Sequence, residues 1–227
     1  MKILGINAFG HDAAAVLLVD GEVVFAASQE RFDRARHSPA FPEAAIQAAL
    51  THAGVAHSDL DAIAFPWSRS MGRPQKAWHM LRGFPRTLTY LREPPDARLP
   101  DRRGYLRRMV HIDRALRERD LRAPLHRIPH HLAHAHSAAL LLPDAHGAIL
   151  TADGMGEWTT AATWALEGGT PKRLARAVYP HSAGKAYSAV TAWLGFGAES
   201  GEGKTMGLAA YGDVDSPRGR FARGLLT

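Results

Sequence analysis

The chain has 227 residues and no cysteine, with 28 Lys and Arg against 22 Asp and Glu. That length holds one large domain or two small ones, and without cysteine there are no disulfides, no thiolate metal sites and no thiol catalysis, so any transition metal must be held by nitrogen and oxygen. No apolar run approaches the roughly 20 residues of a membrane span, and the opening MKILGINAFGHDAAAVLLVDG, broken by His11 and Asp12, is not a secretory signal, so a cytoplasmic protein is expected.

Residues 2–7 (KILGIN) and 13–19 (AAAVLLV) read as apolar strands, and Asp20-Gly21 is a hairpin turn leading to a third strand at 22–28. Pro42 and Glu43 open a helix with Ile46, Ala49, Leu50 and Ala53 on one face and Gly54 as its stop. Residues 60–65 form a fourth strand. Repeated prolines break the stretch 68–127, where helices are expected at 75–82 and 104–119. A short strand at 125–129 leads into the helical run HHLAHAHSAALLL, closed by Pro143. A strand at 148–153 ends in Asp153-Gly154, a second covers 157–166, Gly168-Gly169 turns the chain, a third covers 172–179, and a helix follows at 184–194.

Strand, strand, strand and helix thus occur twice, beginning near residues 2 and 148. The expected divisions are 1–147 and 148–227, with a site in the cleft between two α/β lobes. The second copy stops before its later strands, so the sequence is expected to be the N-terminal piece of a longer protein.

The pI is near 10, but the excess is local: residues 68–127 hold 16 Lys and Arg against 6 Asp and Glu, and the remainder is net acidic. This Arg-rich segment carries few aromatics. It reads as a solvated insertion or a face for anionic substrates rather than a nucleic-acid surface.

Four clusters have chemical potential. In His130-His131-Leu132-Ala133-His134-Ala135-His136, the i, i+4 spacing puts His130 and His134 on adjacent turns of one helix face, where two imidazoles can share a metal. Asp153 is the carboxylate placed to join them, and Gly154 and Gly156 beside it allow close backbone approach. His131 and His134 form an alternative pair, and the same residues also fit an exposed helix face. Gly201-Glu202-Gly203-Lys204-Thr205-Met206-Gly207 is a relaxed phosphate-loop pattern without the strand and long helix a true P-loop needs. It is expected as a glycine-rich anion-binding loop, a plain turn being the alternative. His11-Asp12 is either a turn or a catalytic edge. Glu30-Arg31-Phe32-Asp33-Arg34-Ala35-Arg36-His37 offers three Arg for phosphate or carboxylate, or a solvated face.

Five blocks, ILGI…HDAAAVLLVDGEVV, ERF with trailing basics, HHLAHAHSA, LTADGMGEW and GEGKTMGLAAYG, occur in an order that resembles the N-terminal part of the O-carbamoyltransferases of antibiotic and nodulation-factor biosynthesis. The resemblance covers most of the chain outside 68–120. It implies ribonuclease-H-like lobes of the sugar-kinase, Hsp70 and actin type, the second lobe incomplete. It implies carbamoyl transfer from carbamoyl phosphate and ATP, through carbamoyl-adenylate made at a YrdC-like domain, to a hydroxyl of a small natural product. It further implies Fe2+ held by His130, His134 and Asp153, with a last Asp ligand farther downstream. His11 matches the active-site His, either as proton acceptor or in placing the carbamoyl group. Lys204 matches the Lys expected near the nucleotide, and Asp12, Arg31, Arg36, Gly154, Gly156, Gly203 and Gly207 are the accompanying substrate and nucleotide contacts. The basics differ from the common pattern: Asp33-Arg34-Ala35-Arg36-His37 stands where Thr-Arg-Lys-Lys-His is usual. Two other readings compete, a tRNA-threonylcarbamoylation protein and a non-catalytic metal- or nucleotide-binding fragment. A C-terminal YrdC-like domain or partner chain is expected to complete the enzyme.

Overall fold

A computed structural model describes residues 1–10, 12–70, 72–85, 110–141, 146–197 and 200–224. Strands β1 (Lys2–Asn7), β2 (Ala14–Val19) and β3 (Glu22–Ser28) form the expected antiparallel meander. Asp20 and Gly21 both have positive φ, 51° and 90°, between the paired residues Val19 and Glu22. This is the two-residue turn whose twist suits a hairpin, and glycine takes its second position without steric cost. A short helix α1 (Glu30–Asp33) precedes α2 (Glu43–Ala53), which buries Ala45, Ile46, Ala49 and Leu50 and ends at Gly54 as expected. Strand β4 (Ala62–Phe65) then pairs parallel with β1, and β5 (Leu125–Arg127) parallel with β4.

The sheet order is β3-β2-β1-β4-β5, three antiparallel strands extended by two parallel ones, which is the expected ribonuclease-H-like lobe. Its alternation is visible in β1: Leu4 and Ile6 are buried against α2, while Ile3 and Gly5 face the other side. Leu4, Leu17, Ile63, Phe65, Leu50 and Ile112 form the centre of the core.

Between β4 and β5 lie α3 (Arg73–Arg82) and α4 (Ile112–Arg117). The helix expected over 104–119 is shorter within the described part, and residues 86–109 lie outside it. Helix α5 (His130–Ala139) follows β5; Pro143, expected to close it, is also outside the described residues.

The second sheet has the order β6-β7-β8, from β6 (Gly147–Gly156), β7 (Thr159–Glu167) and β8 (Thr170–Val178). Gly168 and Gly169 repeat the two-residue positive-φ turn. Helix α5 packs on this sheet, with Ala135 and Ala139 against Ile149, Ala162, Trp164 and Leu166. Helices α6 (Ala183–Trp193), α7 (Glu202–Ala209) and α8 (Pro217–Gly224) complete the described chain.

Two expectations differ from the structure. Strand β6 does not end at Asp153: it runs to Gly156 through an irregularity, with Ala152 opposite Ala161 and Gly156 opposite Thr159. Three residues of β6 therefore face one of β7, a bulge that keeps the strand in the sheet while re-aiming Asp153. The expected glycine-rich loop is helical. Gly203, Lys204 and Gly207 lie within α7, because Thr205 anchors that segment by donating to Thr191 Oγ1 at 2.9 Å and both threonines are buried. Among the described residues, no helix is long and apolar enough to cross a membrane.

The core makes a direct prediction. Leu17 is fully buried, so Leu17→Ala should cost about 2–5 kcal/mol in urea unfolding. Val24→Ala, on the exposed outer strand, should change stability by less than about 1 kcal/mol.

Candidate metal centre

Helix α5 and the bulge of β6 bring three donor atoms to one point. Nε2 of His130 lies 2.8 Å from Oδ2 of Asp153, Nε2 of His134 lies 3.0 Å from Nε2 of His130, and Nε2 of His134 lies 3.7 Å from the same carboxylate oxygen. Donors held about 2.0–2.2 Å from one ion at angles of about 90–120° stand roughly 2.8–3.8 Å apart, so these separations match neighbouring ligands of a single ion.

Supporting contacts orient the donors. Nδ1 of His130 donates to the Pro66 carbonyl at 3.3 Å, a bond in which the carbonyl can only accept. That puts a ring proton on Nδ1; Nε2 then either carries a second proton and donates to the carboxylate or offers its lone pair to a cation held between them. The Trp67 ring covers His130 at a centroid distance of 4.3 Å. Asp153 accepts from the Gly154 N–H at 2.5 Å. The imidazoles of His130 and His134 hold its carboxyl well below the usual carboxylate range, more than its burial raises it, so it is an anion at any physiological pH. Two imidazole lone pairs and a carboxylate around one point require a positive charge at the centre, either a proton or a cation. A two-His, one-carboxylate set suits Fe2+, and nitrogen and oxygen donors accept zinc or manganese as well.

The glycines act by absence of bulk. A Cβ on Gly156 would stand 2.4 Å from Cδ2 of His130 and 2.9 Å from Cδ2 of His131, so no other residue lets β6 come this close to α5. At Gly184, on the first turn of α6, a Cβ would lie 2.8 Å from the Gly154 nitrogen. Ser182 caps α6 by accepting from the Lys185 N–H at 3.1 Å and donates to the Gly154 carbonyl at 2.7 Å. Gly154 thus packs against Lys185 and the start of α6.

His131 is not part of the pairing left open by sequence. It is buried, with Nε2 donating to the Thr159 carbonyl at 3.0 Å and Nδ1 2.9 Å from Thr151 Oγ1, which also accepts from Trp164 Nε1 at 3.1 Å. It ties α5 to the second sheet. His136 is exposed on the far face of the helix.

The remaining candidates are dispersed. His11 lies outside the described residues. Asp12 is exposed and faces His37 at 2.8 Å. Arg31 lines a cavity of about 530 Å³ with Asn7, Ala14, Ser28, Pro66 and Ala133. Arg36 is exposed. Lys204 is exposed on α7 with Nζ 5.9 Å from the Phe196 ring centroid, and a Cβ on Gly203 or Gly207 would meet only open space.

Sequence reasoning passed over Glu157 and Lys185. Glu157 accepts from the Ser68 N–H at 2.6 Å, and burial lowers the pKa of Lys76 while this carboxylate opposes the shift. It joins the segment after β4 to the second sheet, as does His79 of α3, packed edge-on against Trp158 and Tyr179. Glu157 stands inside a quoted motif, but its partner is distant in sequence.

The fold and the site describe an α/β protein with a five-stranded and a three-stranded sheet and a candidate metal centre between helix α5 and strand β6. The chain belongs to the carbamoyltransferase N-terminus family, which matches residues 2–221. It is 34% identical over 215 residues to the nodulation protein NolNO of Sinorhizobium fredii, covering 95% of this chain and 30% of that protein. It is 37% identical over 218 residues to the uncharacterised protein sll1178 of Synechocystis, covering 93% of this chain and 35% of that protein. The chain thus spans about a third of the length of these curated relatives. Among solved structures, YeaZ from Pseudomonas aeruginosa aligns at a TM-score of 0.47 with 16% identity, over 79% of this chain and 67% of that chain.

Two outcomes follow from this geometry. Gly156→Ala should push β6 away from His130 and weaken divalent-metal binding at least about tenfold in a metal titration, with Gly203→Ala unchanged. His131 has its pKa lowered, first by burial, with its bond to the Thr159 carbonyl opposing. The unfolded chain therefore takes up this proton first, and stability falls as pH drops below about 6.5. Urea midpoints between pH 8 and pH 5 should decline less steeply in His131→Gln than in the wild type.

Proposed function

We propose that the chain is the N-terminal part of an ATP-dependent O-carbamoyltransferase, which moves a carbamoyl group from carbamoyl phosphate, through carbamoyl-adenylate, to a hydroxyl of a small natural product. The convergence of His130, His134 and Asp153 carries this reading, together with the family to which the chain belongs. These three residues would hold a divalent ion, Fe2+ in this proposal, whose Lewis acidity polarises the carbamoyl carbonyl.

The chain's own groups serve the rest of the transfer. Asp153 stays ionised, and His130 is kept in one tautomer by the Pro66 carbonyl. Gly154 and Gly156 let backbone pass close to the centre. Arg31 faces the cavity that reaches Pro66 and Ala133, beside the histidines. With Arg36 and Lys204 it offers cationic charge to the departing phosphate, and Asp12 and His11 belong to the acceptor side. The helical setting of Gly203 and Gly207 makes α7 a carrier for Lys204 rather than a wrapped phosphate loop.

The adenylate is proposed to come from a YrdC-like domain supplied downstream or by a partner chain. Trp193, Met206, Tyr211 and Phe221 on or beside α6, α7 and α8 are largely exposed, Tyr211 by 90%. Large exposed apolar side chains of this kind favour a protein partner.

Elemental analysis of the purified chain tests the reading. Iron near one equivalent, lost in the His130→Ala, His134→Ala double variant of unchanged helix content, is the expected result. No metal in the wild type, even after a C-terminal partner is added, would sink the proposal.

A further inference from the structure

Helix α3 opens the Arg-rich stretch, and its start stands against the metal centre. Trp67 covers His130, the Ser68 N–H donates to Glu157 Oε1 at 2.6 Å, and His79 packs edge-on against Trp158 and Tyr179. Gly72, with φ 67°, seats the helix on the second sheet: a Cβ there would stand 2.9 Å from Cβ of Trp158. Glu157 and Trp158 directly follow Gly156, whose missing side chain makes room for His130.

This wall of the site is basic. From Trp67 to Phe84 the chain carries Arg69, Arg73, Lys76 and Arg82 and no acidic residue. Arg73 and Lys76 are i, i+3 neighbours in the first turns of α3, where two like charges repel and the helix dipole also disfavours cations. Lys76 is half-buried beside Glu157. No carboxylate among the described residues comes within 4.0 Å of its Nζ. Glu157, the acid whose charge reaches it, is bonded to the Ser68 N–H instead. A partly desolvated ammonium without a bonded counter-charge is costly, and an arriving anion recovers that cost. Arg31, offered to the departing phosphate, lines the cavity on the first sheet, and Lys76 is not in that lining. A second cationic position beside the same centre suits a second anionic reactant.

We propose that Lys76, with Arg73 beside it, binds an anionic group of the acceptor, so that the acceptor is a hydroxyl compound bearing a carboxylate or a phosphate. This rests on the transferase reading and names the class of its acceptor. The ammonium is a compact point charge that takes either anion. The same wall repels acceptors that carry amines, which adds selection by exclusion.

Calorimetric titration of the purified, metal-loaded chain tests this. Glycerol, glycerate and glycerol 3-phosphate serve as probes, since they share a hydroxyl-bearing body and differ in the anionic group. At least one of the two anions should bind about tenfold or more tighter than glycerol, and which one does separates a carboxylate from a phosphate acceptor. Lys76→Met should abolish that preference at unchanged metal content, and Lys76→Arg should keep it within about threefold. Arg73→Gln should weaken the same anion by a smaller factor. The urea midpoint of Lys76→Met should hold or rise, because an unpaired buried charge is removed. A lower midpoint would mark Lys76 as a structural partner of Glu157 and overturn the proposal. So would equal binding of the three probes, or a loss of AMP binding in Lys76→Met as large as the loss of the anion, which would put Lys76 on the donor's phosphate. A chain that binds metal and the anion through Lys76, but transfers nothing to it from carbamoyl-adenylate, overturns the transferase reading and leaves an anion site without an acceptor role.

Discussion

The 2.8 Å approach of His130 Nε2 to Asp153 Oδ2 is the contact on which the rest of the arrangement depends. It joins a helix that leaves the first sheet to a strand of the second, and it sets an imidazole nitrogen against an ionised carboxylate, a contact that needs a proton or a cation between the two. An uncompensated contact of that kind is costly in a partly buried place. The surroundings are built to tolerate it. The Pro66 carbonyl sets the tautomer, the Trp67 ring covers the imidazole, and the missing side chain at Gly156 gives the ring its room.

The repeat explains why the donors meet at a seam. Each copy begins with three antiparallel strands joined in part by a two-residue turn with positive φ at both positions. In the first copy the parallel strands β4 and β5 extend the sheet and send the chain out at the end where β1 also finishes. Helix α5 starts from that end but spends its buried row, His131, Ala135 and Ala139 at i, i+4 and i+8, on the second sheet. The adjacent row, His130 and His134, about 100° round the helix, is thereby held over the β6 bulge. Ligands commonly gather at the carboxyl ends of parallel strands, and this site follows that rule. Glu157 and the His79, Trp158 and Tyr179 contacts close the seam from the side of α3.

Much of this was legible in the residues. Asp20-Gly21 and Gly168-Gly169 announced their turns because few residue types adopt φ above zero at both positions. Helix α2 was legible from the spacing of Ile46, Ala49 and Leu50 and the stop at Gly54. That His130 and His134 stand on adjacent turns of one helix followed from helical pitch. Other features were not readable. The choice between His131 and His130 as partner of His134 turns on which helix face meets Thr151 and Trp164, and those residues lie on strands far along the chain. The segment 201–207 looked like a loop because glycine is a poor helix former. Its helicity comes from the burial of Thr205 on Thr191, a tertiary contact that outweighs local propensity. Glu157 gave no signal because its partner is the Ser68 backbone.

By itself, then, the sequence determined the alternation of strands and helices, the turn types, the absence of thiol chemistry and the nature of the donors, all of which rest on local dihedral preferences and side-chain chemistry. Only the tertiary structure decided which histidine faces the carboxylate, that Asp153 projects from a bulge rather than a strand end, and that Asp12 meets His37. Those facts depend on distances between segments separated by more than 20 residues, and such distances are set by the packing of whole sheets and helices, which no short stretch of residues encodes.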